Sequence, residues 1–161
     1  MWGRRRERGR AFLGDRVGHA PTTIVYNGVA KRDDEIDKAL AAGILSIQVE
    51  SVEEISRVAA RARAAFGPGG TERRAPISLR INPALEFDAL ETHAHIATGH
   101  DEAKFGIAQD DVPRALDTIR RSPELELVGL GHHIGSQIPS VVAYRTAART
   151  LFSLANALFG P

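Results

Sequence analysis

The stretch Leu125-Glu126-Leu127-Val128-Gly129-Leu130-Gly131-His132-His133-Ile134-Gly135-Ser136-Gln137-Ile138 reads as an apolar strand, Leu125 to Leu130, that breaks at Gly131 and delivers two histidines and a Gly-Ser pair into a loop. A helix is expected after it. Strand, polar loop, helix is how an α/β protein builds a site, because ligands sit at the carboxyl ends of parallel strands, where backbone N–H groups and a helix N-terminus face anionic groups. Gly135 lets the backbone come close to a ligand, and the Ser136 hydroxyl can donate to a phosphate oxygen. His133 offers a flat face and two ring nitrogens, so it could stack, relay a proton or bind a metal. By itself the His-Ile-Gly-Ser spacing is equally compatible with ordinary loop histidines and a simple turn.

The same alternation runs through the rest of the chain. Thr22 to Tyr26 is a short β-branched run ending at the turn signal Asn27-Gly28. Asp33 and Asp34 open a helix with Ile36, Leu40 and Ile44 on one stripe and Gly43 at its end. Leu45 to Val49 is a second strand, and Ser51 with Glu54 makes a capping box for a helix through Ala65, closed by Gly67-Pro68-Gly69-Gly70. Pro76 to Ile81 is a third strand. From Pro83 to Gln109 the periodicity fades, in a long loop that carries His93, His95, His100, Asp101, Glu102 and Lys104. Loops of that length inside compact domains are commonly functional or disordered. Asp110 or Asp111 caps the next helix, with Leu116 and Ile119 on its buried side. The last helix runs from Val141 to Leu158, with Phe152, Leu154 and Leu158 as its core face.

Four consecutive βα units imply a parallel sheet with right-handed crossovers, which can close as a doubly wound open sheet or as part of a (βα)8 barrel. No G-x-G-x-x-G follows the first strand, which argues against a dinucleotide fold. A complete barrel takes at least about 200 residues. The fold class expected is therefore α/β, a partial (βα)8 TIM-like barrel of four units.

Composition narrows the class further. The 161 residues carry 21 Lys and Arg against 20 Asp and Glu, net +1, with no cysteine. That describes a globular chain without disulfides or thiolate chemistry, as expected of a cytoplasmic protein. No apolar run suits a transmembrane helix. Residues 1–10 hold five arginines against Glu7, a local +4 that leaves −3 for the remainder. Residues 1–20 read as a solvated or disordered basic leader, and 21–161 as the barrel domain. No aromatic interleaving or nucleic-acid motif follows, so neither nucleic acid nor membrane is an expected partner.

Four blocks carry a family resemblance: Tyr26-Asn27-Gly28-Val29-Ala30-Lys31, Leu79-Arg80-Ile81-Asn82-Pro83, His95 to Gly99 through Lys104-Phe105-Gly106, and Val128 to Ile138. In this order, and at about these spacings, they resemble diaminopimelate decarboxylase, a fold-type III enzyme dependent on pyridoxal 5′-phosphate (PLP), related to ornithine and arginine decarboxylases and to alanine racemase. The Ile134-Gly135-Ser136-Gln137 form is closer to the diaminopimelate branch. The resemblance implies a PLP barrel followed by a β domain, a homodimer with shared sites, and decarboxylation of meso-diaminopimelate to L-lysine and CO2. It further implies that His133 stacks on the pyridine ring, that Ser136 and Gly135 meet the phosphate, that Arg80 lies near the cofactor, and that Lys104 sits at the rim.

The departures bear on activity. The family's lysine that holds PLP as a Schiff base sits on an earlier strand in an Ala-x-Lys-Ala-Asn setting, for which these residues offer no match; Lys31 belongs to the Asn-Gly-x-x-Lys block instead. Gly131 stands where the family usually has a histidine. No catalytic residue is therefore assigned, and this chain by itself is expected to lack turnover. Two other readings stand beside this one. His93-Ala94-His95, with Asp101, His132 and His133, could serve a metal-dependent barrel hydrolase. Alternatively, the chain is a non-catalytic remnant that binds PLP or phosphate.

Overall fold

The computed structural model describes residues 18–70, 73–83, 105–135 and 138–160. Its strands are β1 (Val25–Tyr26), β2 (Ser46–Val49), β3 (Ala75–Arg80) and β4 (Leu125–Gly131). The helices are α1 (Asp33–Ala42), α2 (Val52–Phe66), α3 (Val112–Arg120) and α4 (Val141–Phe159). All strand pairs are parallel, and the spatial order is the chain order, β1-β2-β3-β4.

That order settles the choice between the two closures. Each right-handed crossover carries the chain one strand in the same direction, so the helices accumulate on one face of the sheet and the other face is left for a barrel interior. A doubly wound sheet would reverse its strand order partway. Here α2 packs between α1 and α3 on the helical face.

Side chains alternate accordingly. Ile47, Val49, Ile77 and Leu79 face the helices and are at most 1% exposed, meeting Ile36, Ile55 and Val58. Full burial of each such side chain contributes about 1.5–3 kcal/mol. Ser46, Gln48, Ser78 and Arg80 take the alternate positions on the inner face, and the Ser46 hydroxyl donates to Ser78 Oγ across 2.8 Å. In β4 the register slips: Ile77 pairs with Leu127 but Ser78 with Gly129, leaving Val128 as a bulged residue, 47% exposed. The slip brings the glycines at 129 and 131, rather than Val128, opposite Ser78 and Arg80.

Local expectations hold with a few corrections. Gly43 ends α1 in the left-handed region at φ 67°, as its position suggested. Thr22 and Thr23 are not strand residues: Pro21 begins a 3-10 turn in which the Thr23 N–H and hydroxyl both donate to the Ala20 carbonyl, overriding β-propensity. Ser51 accepts the Glu54 N–H at 3.1 Å, but the Glu54 carboxylate turns to the Glu50 N–H and to Lys31, so the expected capping box is only half made. Asp111 makes no side-chain cap to α3, because the Gln109–Asp111 turn runs directly into that helix. Phe152 is not on the core face of α4. It is 69% exposed, while Ala143 and Ala147 are fully buried and Leu151 and Leu154 pack partly against the core. The leader residues 1–17 lie outside the described residues.

Candidate functional site

The carboxyl ends of β2, β3 and β4 place the same groups together. Arg80 closes β3 with its side chain 8% exposed, and its Nη1 donates to Glu50 Oε1 at 3.0 Å from the end of β2. The guanidinium also lies 5.7 Å from the centroid of the Phe105 ring. His133 follows β4. Burial holds its imidazole below the usual histidine range, the Arg80 charge pushes it lower, and Glu50 opposes the shift. The three side chains thus feel one another's charge, and His133 is biased to the neutral form. His132 is likewise shifted down, by burial and then by His133, and its buried Nδ1 has no hydrogen-bond partner among the described residues.

The loop after β4 is shaped by Gly135, whose φ of 142° favours glycine, and it is anchored by Ile134, buried with Ile138, Ala143 and Ala147. Ser140 starts α4, its Oγ accepting the Ala143 N–H. Behind β3, the segment Phe105-Gly106-Ile107 returns to the sheet: Ile107 N–H donates to the Arg80 carbonyl at 2.8 Å, and Asn82 N–H to the Ile107 carbonyl at 2.9 Å. Gly106 has φ 88°, and a Cβ there would come within 3.1 Å of the Asn82 nitrogen. This close approach is what holds Phe105 against Arg80.

Lys31 has a different role. It is 1% exposed, donates to the Gly28 carbonyl at 2.6 Å, and pairs with both Glu54 oxygens at 3.1 and 3.2 Å. Arg57 Nη2 in turn donates to the Lys31 carbonyl at 2.6 Å. These contacts form a clamp that fastens the β1–α1 loop to the first turn of α2. The adjoining cleft, about 280 Å³, is lined by Ala30, Glu50, Ser51, Glu53, Glu54 and Arg57. Three carboxylates against one guanidinium make this cleft unsuited to a phosphate.

Of the residues singled out in the sequence, Arg80 and His133 converge and Gly135 sits in the adjoining loop. Ser136, Lys104, His93 and His95 lie outside the described residues. Glu50 was missed. Its signal was its place directly after a strand, where an acidic residue faces the mouth of a barrel. Among the described residues no group of histidines and carboxylates has metal-binding geometry.

A singly wound parallel sheet with a polar inner face, and with charged groups and histidines gathered where the strands end, defines the class: a segment of a (βα)8-barrel binding domain. The chain belongs to the family described as pyridoxal-dependent decarboxylase, pyridoxal binding domain, whose profile matches residues 13–159. It is 37% identical over 142 residues to diaminopimelate decarboxylase of Zymomonas mobilis, covering 88% of this chain and 32% of the relative. It is 33% identical to that of Aquifex aeolicus, covering 93% of this chain and 34% of the relative. The structure of the Helicobacter pylori diaminopimelate decarboxylase complexed with L-lysine superposes with a TM-score of 0.79 at 32% identity, covering 91% of this chain and 34% of that one. The arginine decarboxylase of Paramecium bursaria Chlorella virus, at 20% identity and a TM-score of 0.66, shares the fold. The chain spans about a third of the length of these relatives.

The cofactor of this family is PLP, and the described residues fit one side of it. A buried cation, Arg80, stands at the mouth, an imidazole biased to the neutral form stands beside it, and the backbone of Gly135, at φ 142°, admits close approach. When bound, PLP supplies an electron sink for the carbanion left by loss of a carboxylate.

Proposed function

We propose that this chain forms one wall of the pyridoxal site of a diaminopimelate decarboxylase, the complete protein converting meso-diaminopimelate to L-lysine and CO2 as a homodimer. The convergence of Arg80, Glu50 and His133 at the carboxyl ends of adjacent strands carries this reading. His133 presents its imidazole face to the pyridine ring. Its depressed pKa keeps that face uncharged at neutral pH, so stacking brings no second cation beside Arg80. Arg80, held in place by Glu50 and Phe105, offers a fixed positive charge to the polar edge of the ring. Gly135 opens the backbone for the phosphate, and Ser136 adds a hydroxyl. Lys31 and Lys38 are both engaged in ion pairs away from the inner face, with Glu54 and Asp34. Because no Ala-x-Lys-Ala-Asn block occurs in these residues, binding of PLP to this chain is noncovalent in this reading, and the chain alone does not turn substrate over.

Equilibrium dialysis of the purified chain with PLP tests the proposal, with His133→Ala and Ser136→Ala alongside. The expected result is saturable binding that both substitutions weaken and that borohydride does not trap. A folded sample that binds no PLP, or one in which borohydride attaches PLP to any of Lys31, Lys38 and Lys104, would refute it. Complementation of a lysine auxotroph by this chain alone would overturn the lack of turnover.

A further inference from the structure

Gln48 lies on the inner face of β2, between Ser46 and Glu50. Its side chain reaches past β3 to cover the backbone of β4: a Cβ built on Gly131 would come within 2.2 Å of Gln48 Nε2 and 3.4 Å of its Cδ. Gly131 is the register partner of Arg80, and its carbonyl accepts the Ile81 N–H at 2.8 Å. The amide is therefore held at the level of Arg80, one residue before His132 and two before His133. The deeper inner-face hydroxyls of Ser46 and Ser78 satisfy each other. The Gln48 amide, by contrast, makes no side-chain hydrogen bond among the described residues.

We propose that Gln48 is a ligand-contacting residue of the pyridoxal site, and that position 131 is a glycine so that the Gln48 amide can lie there. This rests on the pyridoxal-binding reading given above. An uncharged amide offers one donor and one acceptor without adding to the charge of Arg80, which suits the ring-edge oxygen or nitrogen of a planar heteroaromatic ligand. Gly131 has no positive φ, so an alanine there meets no backbone strain, and the atom it would meet is the tip of a flexible side chain. Adding a methyl group at 131 therefore displaces the amide without unfolding the protein.

The test is PLP binding to the 161-residue chain by equilibrium dialysis for Gln48→Ala, Gly131→Ala and the double variant, with thermal melting as the control for folding. Each single substitution is expected to weaken binding about tenfold, the loss of one hydrogen bond. The double variant should be no weaker than either single, because both remove the same contact, while melting temperatures stay within a few degrees of wild type. A role in packing alone would shift melting but leave the affinity in place, and that outcome overturns the inference. So does independent action, in which the two losses multiply to about a hundredfold. If wild type binds PLP in a His133-dependent manner and Gln48→Ala binds equally well, only this inference falls. If folded wild type binds no PLP, the pyridoxal-binding reading itself falls, and this inference with it.

Discussion

Lys31→Met separates a structural lysine from a cofactor lysine. The ammonium is fully buried, and its partner Glu54 is 9% exposed at the side chain. Removing one partner of such a pair leaves a charge in a low-dielectric site, at a cost of about 3–5 kcal/mol. Two features place this substitution near the lower bound: Glu54 keeps the Glu50 N–H at 2.9 Å and the Arg57 guanidinium at 3.5 Å. Glu54→Leu should cost more, because Lys31 then retains only the Gly28 carbonyl as a hydrogen-bond partner, with the Tyr26 ring 5.8 Å away. With a urea dependence of about 2 kcal/mol per molar, a loss of 3 kcal/mol moves the midpoint down by about 1.5 M. Urea unfolding followed by circular dichroism measures this, with Lys31→Met, Glu54→Leu and the double variant compared. The double variant should recover most of the loss, since it leaves no unpaired charge in the site. A midpoint shift below about 0.5 M for Lys31→Met, or losses that add in the double variant, would refute the clamp.

Three further outcomes are expected. Leu79→Ala, in a fully buried position, should lose about 2–5 kcal/mol in the same assay, whereas Phe152→Ser on the exposed face of α4 should stay within about 0.5 kcal/mol of wild type. Gly106→Ala places a methyl 3.1 Å from backbone at φ 88° and should cost about 1–3 kcal/mol, with Phe105 released from Arg80. Stability should also fall on mild acidification. His132 and His133 have folded pKa values below the unfolded value of about 6.5, so the unfolded chain takes up protons first, and stability is lost as pH drops from that value toward the folded pKa values. His133→Gln should flatten this dependence in melting curves recorded between about pH 7 and pH 5, and an unchanged slope would count against the buried neutral imidazole.

The strands and helices were largely legible because period and punctuation agree. Gly43 and Gly67 end helices, and β2 to β4 fall where apolar runs meet turn residues. Propensity misled at Thr22-Thr23, where a preceding proline sets the turn. The α4 face was misjudged for a different reason. Ala143 and Ala147 lie four residues apart and are small enough for the helix to sit close to the loop after β4, which turns the bulky Phe152 outward. Nothing in that helix's own sequence announces the choice between the two stripes. The candidate site was half legible: His133, Arg80 and Glu50 all lie at strand ends, though Glu50 was not singled out, while the approach of Gln48 to Gly131 needs the register that sets β2 beside β3 and β3 beside β4. Gly131, a departure from the family pattern on paper, becomes intelligible once the Gln48 amide is found in its place.

The inner face also explains where charge is admitted. Down β2 the inward residues are Ser46, Gln48 and Glu50, and each meets a counterpart across the sheet: a hydroxyl on Ser78, the bare backbone of Gly131, and the guanidinium of Arg80. Polarity therefore rises from a neutral hydroxyl pair through an amide to an ion pair as the strands approach their carboxyl ends. An ion pair at the depth of Ser46 would carry the full cost of desolvation without water or ligand to share it. At the mouth the same pair retains slight exposure, 8% and 11%, and its cation can turn to an incoming anionic or polar group while the carboxylate holds it in place. That gradient predicts an asymmetry. Glu50→Gln keeps the shape of the pair but frees Arg80, so it should alter PLP affinity more than folding stability. Ser78→Val, by orphaning the Ser46 hydroxyl, should cost about 1–3 kcal/mol of stability and leave affinity nearly unchanged. Urea unfolding and equilibrium dialysis on both variants would expose the reverse ordering, which the graded inner face does not allow.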